Sequence, residues 1–215
     1  MNSDDVLHDL DKWRTRDELF EYMNKQKEIV HSNRDKWNQS LLKTGRYKNL
    51  LEEFWPLCCF SRTRFLSDYT KFRIVLGNQD YDAIAKKDDG TIKKIEFSSY
   101  IDGETEHEDA KSLIKTGLGI LHDNAIFTLK KKSLLYLDKI IENAKKKSIK
   151  DYSGVDLVIV VDTSLYFEVH NNDPSKFINI LLEELREISF KADSVFLMKL
   201  SGPIEDIDKN TYKIR

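Results

Sequence analysis

Hydrophobic positions in the first part of the chain repeat with a helical spacing. Leu19, Tyr22, Met23, Ile29 and Val30 keep to one side of a helical period with Gln26 among them, and Trp37, Leu41 and Leu42 follow in the same manner. Thr15-Arg16-Asp17-Glu18 has the form of a capping box, in which the threonine hydroxyl and the glutamate carboxylate each serve an exposed amide of the other residue. The pattern predicts one or two amphipathic helices. Tyr47, Leu50, Leu51 and Phe54 predict a further helix that stops before Pro56, because the residue preceding a proline avoids the helical region. Glu52 and Glu53 lie on that helix. Residues 57–69 show no decisive pattern.

At Phe72 the rhythm changes to that of strands. Phe72 to Leu76 reads as one strand, and Asp82 to Ala85 and Thr91 to Ser99 read as two arms around Asp88-Asp89-Gly90. A glycine there tolerates the positive φ of a tight hairpin, so the arms are expected to pair antiparallel. After a turn at 100–103, Thr105 to Leu118 reads as a helix, and 119–128 is weakly patterned. Lys131 to Lys147 is helical, with Leu134, Leu137, Ile140, Ile141 and Ala144 as its apolar stripe. Val155 to Asp162 is an apolar run apart from Asp156 and the closing Asp162, the signature of a central strand buried on both faces. Asp173-Pro174 supplies a cap and a first-turn proline for a helix that buries Phe177, Ile180, Leu181, Leu185 and Ile188. Ser194 to Leu200 is a last strand, and the tail after Pro203 reads as peripheral.

This order predicts an α/β protein of the α+β, mixed-sheet kind: a three-strand meander plus further strands, flanked by helices. Residues 1–44 form a charged N-terminal helical extension, and 45–215 form the α/β core domain.

Composition adds bounds rather than identity. The chain has 215 residues, one third of them charged, with a formal net charge of −2, so no global charge demands nucleic acid or an acidic lipid surface. Local basic runs remain: Lys130 to Lys132 and Lys145 to Lys147 sit at the two ends of one helix, as a solvated polar face or as phosphate contacts. Cys58 and Cys59 are adjacent and cannot form an ordinary bridge, which makes a reducing, cytoplasmic setting the expectation. The start of the chain lacks the pattern of a signal peptide, and no membrane span is expected.

The candidate chemistry lies in the hairpin. Its pairing can bring Asp82 and Glu96 together at one end of a sheet, where two carboxylates suit a hard divalent cation. Along the third strand Lys94, Glu96 and Ser98 share one face while Ile95 and Phe97 point the other way. A carboxylate buried there is costly unless it is paired or bound to metal. The competing reading is bland: Asp80, Asp82, Asp88 and Asp89 as solvated turn residues, and Glu96 as an exposed strand residue with a cross-strand partner. Gly117-Leu118-Gly119 lacks the remaining features of a dinucleotide loop, and the histidines have no metal-ligand spacing.

Asp82-Ala83-Ile84-Ala85 followed by Ile95-Glu96-Phe97-Ser98, in a helix, meander, helix, strand order, resembles the restriction-endonuclease-like or PD-(D/E)XK nuclease superfamily. That superfamily places an acid at the second strand and Glu-x-Lys in the third. The resemblance implies a Mg²⁺- or Mn²⁺-dependent nuclease, a hydrolase of phosphodiester bonds with DNA as the favoured substrate. Asp82, Glu96 and the Phe97 carbonyl would hold the metal, with Glu52 or Glu53 as an accessory acid. Ser98 stands where the family has its catalytic lysine, and a serine cannot carry that charge. Lys94, earlier on the same strand face, and Lys111, on the following helix, are the candidates for its place. If neither serves, the same fold implies an inactive nucleic-acid- or protein-binding module. A homodimer is a further expectation, because double-strand cleavage by this fold generally uses two sites.

Overall fold

The computed structural model describes residues 7–100, 103–117, 125–163 and 174–215. The protein is mixed α/β. Its helices are α1 (Arg16–His31), α2 (Arg34–Leu41), α3 (Arg46–Asn49), α4 (Trp55–Phe60), α5 (Gly103–Thr116), α6 (Ala125–Ser148) and α7 (Pro174–Arg186). The strands β1 (Lys71–Ile74), β2 (Ala83–Lys86), β3 (Ile92–Ser99), β4 (Tyr152–Val161), β5 (Ala192–Lys199) and β6 (Thr211–Lys213) form a six-stranded sheet in chain order. Its pairs β1–β2, β2–β3 and β5–β6 are antiparallel and β4–β5 is parallel. Among the described residues no helix is long and apolar enough to cross a membrane.

The chain divides into two compact units, one of residues 1–95 and 101–120, the other of residues 96–100 and 121–215. It passes from the first to the second inside β3, between Ile95 and Glu96.

In the first unit the capping box forms as the sequence predicts. The Glu18 amide donates to the Thr15 hydroxyl at 3.3 Å, and the Thr15 amide donates to the Glu18 carboxylate at 2.6 Å. The helix expected to end before Pro56 instead runs on. Between α3 and α4 the chain makes a π-helical turn over Leu50–Phe54, in which the Trp55 amide donates to the Leu50 carbonyl. This widened turn resets the register, so Pro56 falls in the first turn of α4, where its missing N–H leaves no bond unmade. A single-turn 3₁₀ helix over Arg64–Leu66 then carries the chain towards β1.

Beneath these helices Arg14 organises a buried polar knot. Its guanidinium donates to the Asp9 carboxylate at 3.0 Å and to the carbonyls of Asp9 and Lys12, and it lies 4.0 Å from the Tyr22 ring centroid. The Tyr22 hydroxyl donates to the other Asp9 oxygen at 2.9 Å. Burial, then that acceptor, pushes the Tyr22 phenol far above its ordinary value, so it stays a donor.

Cys58 and Cys59 are free and buried on α4. Burial raises the Cys58 thiol to about 11 against the weaker opposing charges of Arg62 and Lys27. Burial and the neighbouring Cys58 raise Cys59 further. Because the thiolate is the nucleophile, neither thiol should be labelled by a thiol reagent at mildly alkaline pH while the protein is folded, and both should react in denaturant. Rapid native labelling of either one would contradict this packing.

In the second unit, β4 is buried from Val155 to Val161, as its apolar run predicts. Its pairing with β5 shifts between Tyr152 and Asp156. Gly154 sits in that irregularity at φ 78°, a conformation that favours glycine, and its amide donates to the Asp193 carboxylate at 2.8 Å. On α6 the expected stripe is only partly inward: Ile140 and Ala144 are buried, while Leu134 is 51% exposed. On α7 Phe177, Leu181 and Leu185 are buried as expected, and the proposed cap Asp173 lies outside the described residues. The tail is not wholly peripheral, since β6 extends the sheet edge at Phe196 to Met198.

Candidate functional site

β3 changes environment along its length. Ile92 and Lys94 are exposed, whereas Ile95, Glu96, Phe97 and Ser98 are buried in succession. The alternation expected from sequence therefore holds only for the outer half of the strand. At Glu96 both faces are covered, and the carboxylate enters the interior of the second unit.

There it is not alone. The Lys147 ammonium, from the last turn of α6, donates to Glu96 Oε1 in a short ion pair. The Tyr152 hydroxyl, from the start of β4, donates to the same oxygen at 3.4 Å, and the Lys147 ammonium lies 5.8 Å from the Tyr152 ring centroid. The side chains of Glu96 and Lys147 are 11% and 24% exposed, so the pair is shielded from solvent but open at its lysine end. Burial draws the Lys147 ammonium down, but the hydrogen bond and charge of Glu96, followed by Tyr152, outweigh it and hold the pKa above its ordinary value. Burial likewise raises the Tyr152 phenol, with the Lys147 charge opposing. Around neutral pH the group thus holds a charged ammonium and a protonated phenol on one carboxylate.

Sequence reasoning missed Lys147 and Tyr152. A signal for Lys147 exists: Ile140, Ala144 and Lys147 continue one helical stripe at four- and three-residue steps, whereas Lys145 and Lys146 point outward. Lys146 instead pairs with Glu142 at 2.7 Å on the helix surface. Nothing local marks Tyr152, whose placement depends on the β4 irregularity.

The other candidates are distributed as follows. Asp82 belongs to the first unit and is half-buried just before β2. Its backbone is fixed on both sides, the Val75 amide donating to its carbonyl at 2.8 Å and its own amide donating to Ile95 O at 2.9 Å. Lys94 is exposed, with its ammonium 5.0 Å from the Tyr81 ring centroid, and Lys111 is exposed on α5. Ser98 is buried in the second unit. Glu52 and Glu53 lie on the π-helical turn, where Glu52 meets Lys43 at 3.3 Å and Lys48 at 4.0 Å, and Glu53 accepts from the Asn49 amide group at 2.7 Å. Lys43 also reaches Glu106 on α5 at 2.7 Å. Glu52 thus serves an ion-pair cluster within the first unit.

Among the described residues no group of three or more His, Cys, Asp or Glu side chains is arranged to hold a metal.

No protein-family model matches the chain, and no curated protein or solved structure shows significant similarity to it.

Proposed function

We propose that this protein hydrolyses phosphodiester bonds in nucleic acid with the aid of Mg²⁺ or Mn²⁺, with DNA as the favoured substrate, on a restriction-endonuclease-like core. The meander β1–β2–β3 followed by helices and β4, with Asp82 just before β2 and Glu96 in β3, supports that reading. The observation that carries it is the Lys147–Glu96 contact. It brings an ammonium to the acid of the third strand in a chain whose motif has Ser98 in the lysine's place.

In this reading Glu96 would be a ligand of the cation, with Asp82 the other acid that the resemblance names, and the cation would supply an activated water and neutralise charge on the phosphate. Lys147 keeps its proton, because its pKa is raised. It therefore acts as a fixed positive charge that orients water and offsets developing negative charge, not as a general base. Tyr152 helps to hold Glu96 in place through the same oxygen.

A second reading has its own observation. Glu96 Oε1 already receives both Lys147 and Tyr152, an arrangement that also suits a closed structural pair in a non-catalytic binding module.

Incubating circular and single-stranded DNA, and RNA, with Mg²⁺ or Mn²⁺ separates the two. The hydrolase reading expects cleavage that falls at least about a hundredfold in Asp82→Asn and in Glu96→Gln, the scale of a lost catalytic group. Folding of each variant is checked by circular dichroism. Wild type and variants that behave alike would end the catalytic assignment.

A further inference from the structure

The face of the β1–β3 meander opposite its buried side carries, around a buried Ile84, cations that the hydrolase reading does not use. In the first unit Phe72, Ile74, Ala83, Ala85 and Ile95 are buried on one side of these strands. The register places the intervening residues of the other side in two cross-strand rows. One row runs Lys71, Lys86, Ile92, and the other Arg73, Ile84, Lys94. Arg14 bridges to Phe72 on the outer side of β1, which extends the second row to Trp13. The Arg73 guanidinium lies 4.8 Å from the Trp13 ring centroid, and the Lys94 ammonium lies 5.0 Å from that of Tyr81. Trp13 and Ile92 are 38% and 55% exposed, and Lys71, Lys86 and Lys94 are exposed with them.

This arrangement is poor design for stability alone. Lys71 and Lys86 stand directly opposite each other, and like charges in that relation destabilise a sheet. Glu18 reaches Lys71 at 3.7 Å, across an exposed contact that contributes little. Arg73 and Lys94 lie against aromatic rings, which fixes their heads in position, and the row between them is apolar at Ile84. A face built only for solubility would alternate its signs.

We infer that this face binds single-stranded nucleic acid, with Lys71, Arg73, Lys86 and Lys94 on the phosphates and Trp13 and Ile92 against unstacked bases. Phosphates account for the excess of positive charge beyond the one Glu18 contact. Exposed ring and aliphatic surface beside that charge favours a single strand, because a duplex keeps its base faces stacked away. The inference rests on the nucleic-acid reading above and names the form of substrate it would present.

The test is fluorescence anisotropy of a labelled oligothymidylate with the full chain in chelator, over a series of salt concentrations. Without divalent cation, binding is read apart from hydrolysis. Wild type should bind, more weakly as salt rises. Lys71→Gln/Lys86→Gln should reduce the slope of log K against log salt by about 0.7 per lysine, while its thermal midpoint stays level or rises as the opposed charges are removed. Trp13→Ala should weaken the oligonucleotide roughly tenfold and leave heparin binding unchanged. Absence of binding at low salt, variants that bind like wild type, or a duplex of equal length bound more tightly than the single strand would each overturn the inference. Intact binding with no cleavage in Mg²⁺ would sink the hydrolase and leave this surface standing.

Discussion

Lys147→Met should destabilise the protein by about 3–5 kcal/mol, the usual cost of removing one partner from a buried ion pair. Glu96 is 9% exposed, and after the substitution the Tyr152 hydroxyl at 3.4 Å is its remaining donor among the contacts of the described residues. One long hydrogen bond does not replace an ammonium. Combining Lys147→Met with Glu96→Gln should recover much of the loss, because a neutral amide no longer demands a counter-charge. The double-mutant cycle, measured by urea unfolding, should therefore show strong coupling. A single-variant cost below about 0.5 kcal/mol would place the pair with solvent-screened surface contacts instead. On the proposed hydrolase reading, the same variant, assayed where it remains folded, should cleave nucleic acid about a hundredfold or more slowly.

The pH dependence has a definite sign. The folded pKa of Lys147 is raised above its unfolded value. Its contribution is thus complete below the unfolded lysine value of about 10.4 and is lost as pH rises through the folded value. The wild-type denaturation midpoint should fall more steeply above that point than the midpoint of Lys147→Met. Parallel curves would show that the pair does not couple to folding.

Phe54→Ala should cost about 3–5 kcal/mol by the same measurement. Phe54 is fully buried at the end of the π-helical turn, its ring 5.2 Å from that of Tyr22 and 5.7 Å from the Arg14 guanidinium. Truncation removes the transfer free energy of a whole ring and opens a cavity beside the Asp9–Arg14–Tyr22 knot, whose hydrogen bonds fix their own positions and hinder collapse. Phe54→Leu should restore most of the loss. Phe65→Ala, at a half-exposed ring, should cost far less. If the Phe54 and Phe65 variants lost similar stability, the π-helical turn would not be the packing centre of its unit.

Much of the fold is legible along the chain because its signals are local. The capping box at Thr15, the helical stripe over Leu19 to Val30, the glycine turn before β3 and the apolar run of β4 each depend on neighbours a few residues away. Pro56 misled for an instructive reason. The rule that a helix ends before proline assumes a regular hydrogen-bond ladder, and the i+5 bond at Leu50 removes that assumption. The tail misled because a short polar strand such as β6 is made by the edge it joins.

The candidate site divides along the same line. Sequence alone marked Glu96 as a candidate acid and set it on a strand, and only the resemblance to a nuclease motif made Ser98 stand where a lysine would be expected. It could nominate only lysines near in sequence, Lys94 and Lys111, because strand spacing and the next helix were the available guides. The tertiary structure chose Lys147, fifty-one residues away, by laying the last turn of α6 against the buried half of β3 and turning Tyr152 towards the same oxygen. That selection is not local. A buried carboxylate takes whichever cation the packing of the core delivers, and three consecutive lysines are alike until a helix face is buried and one of them is on it.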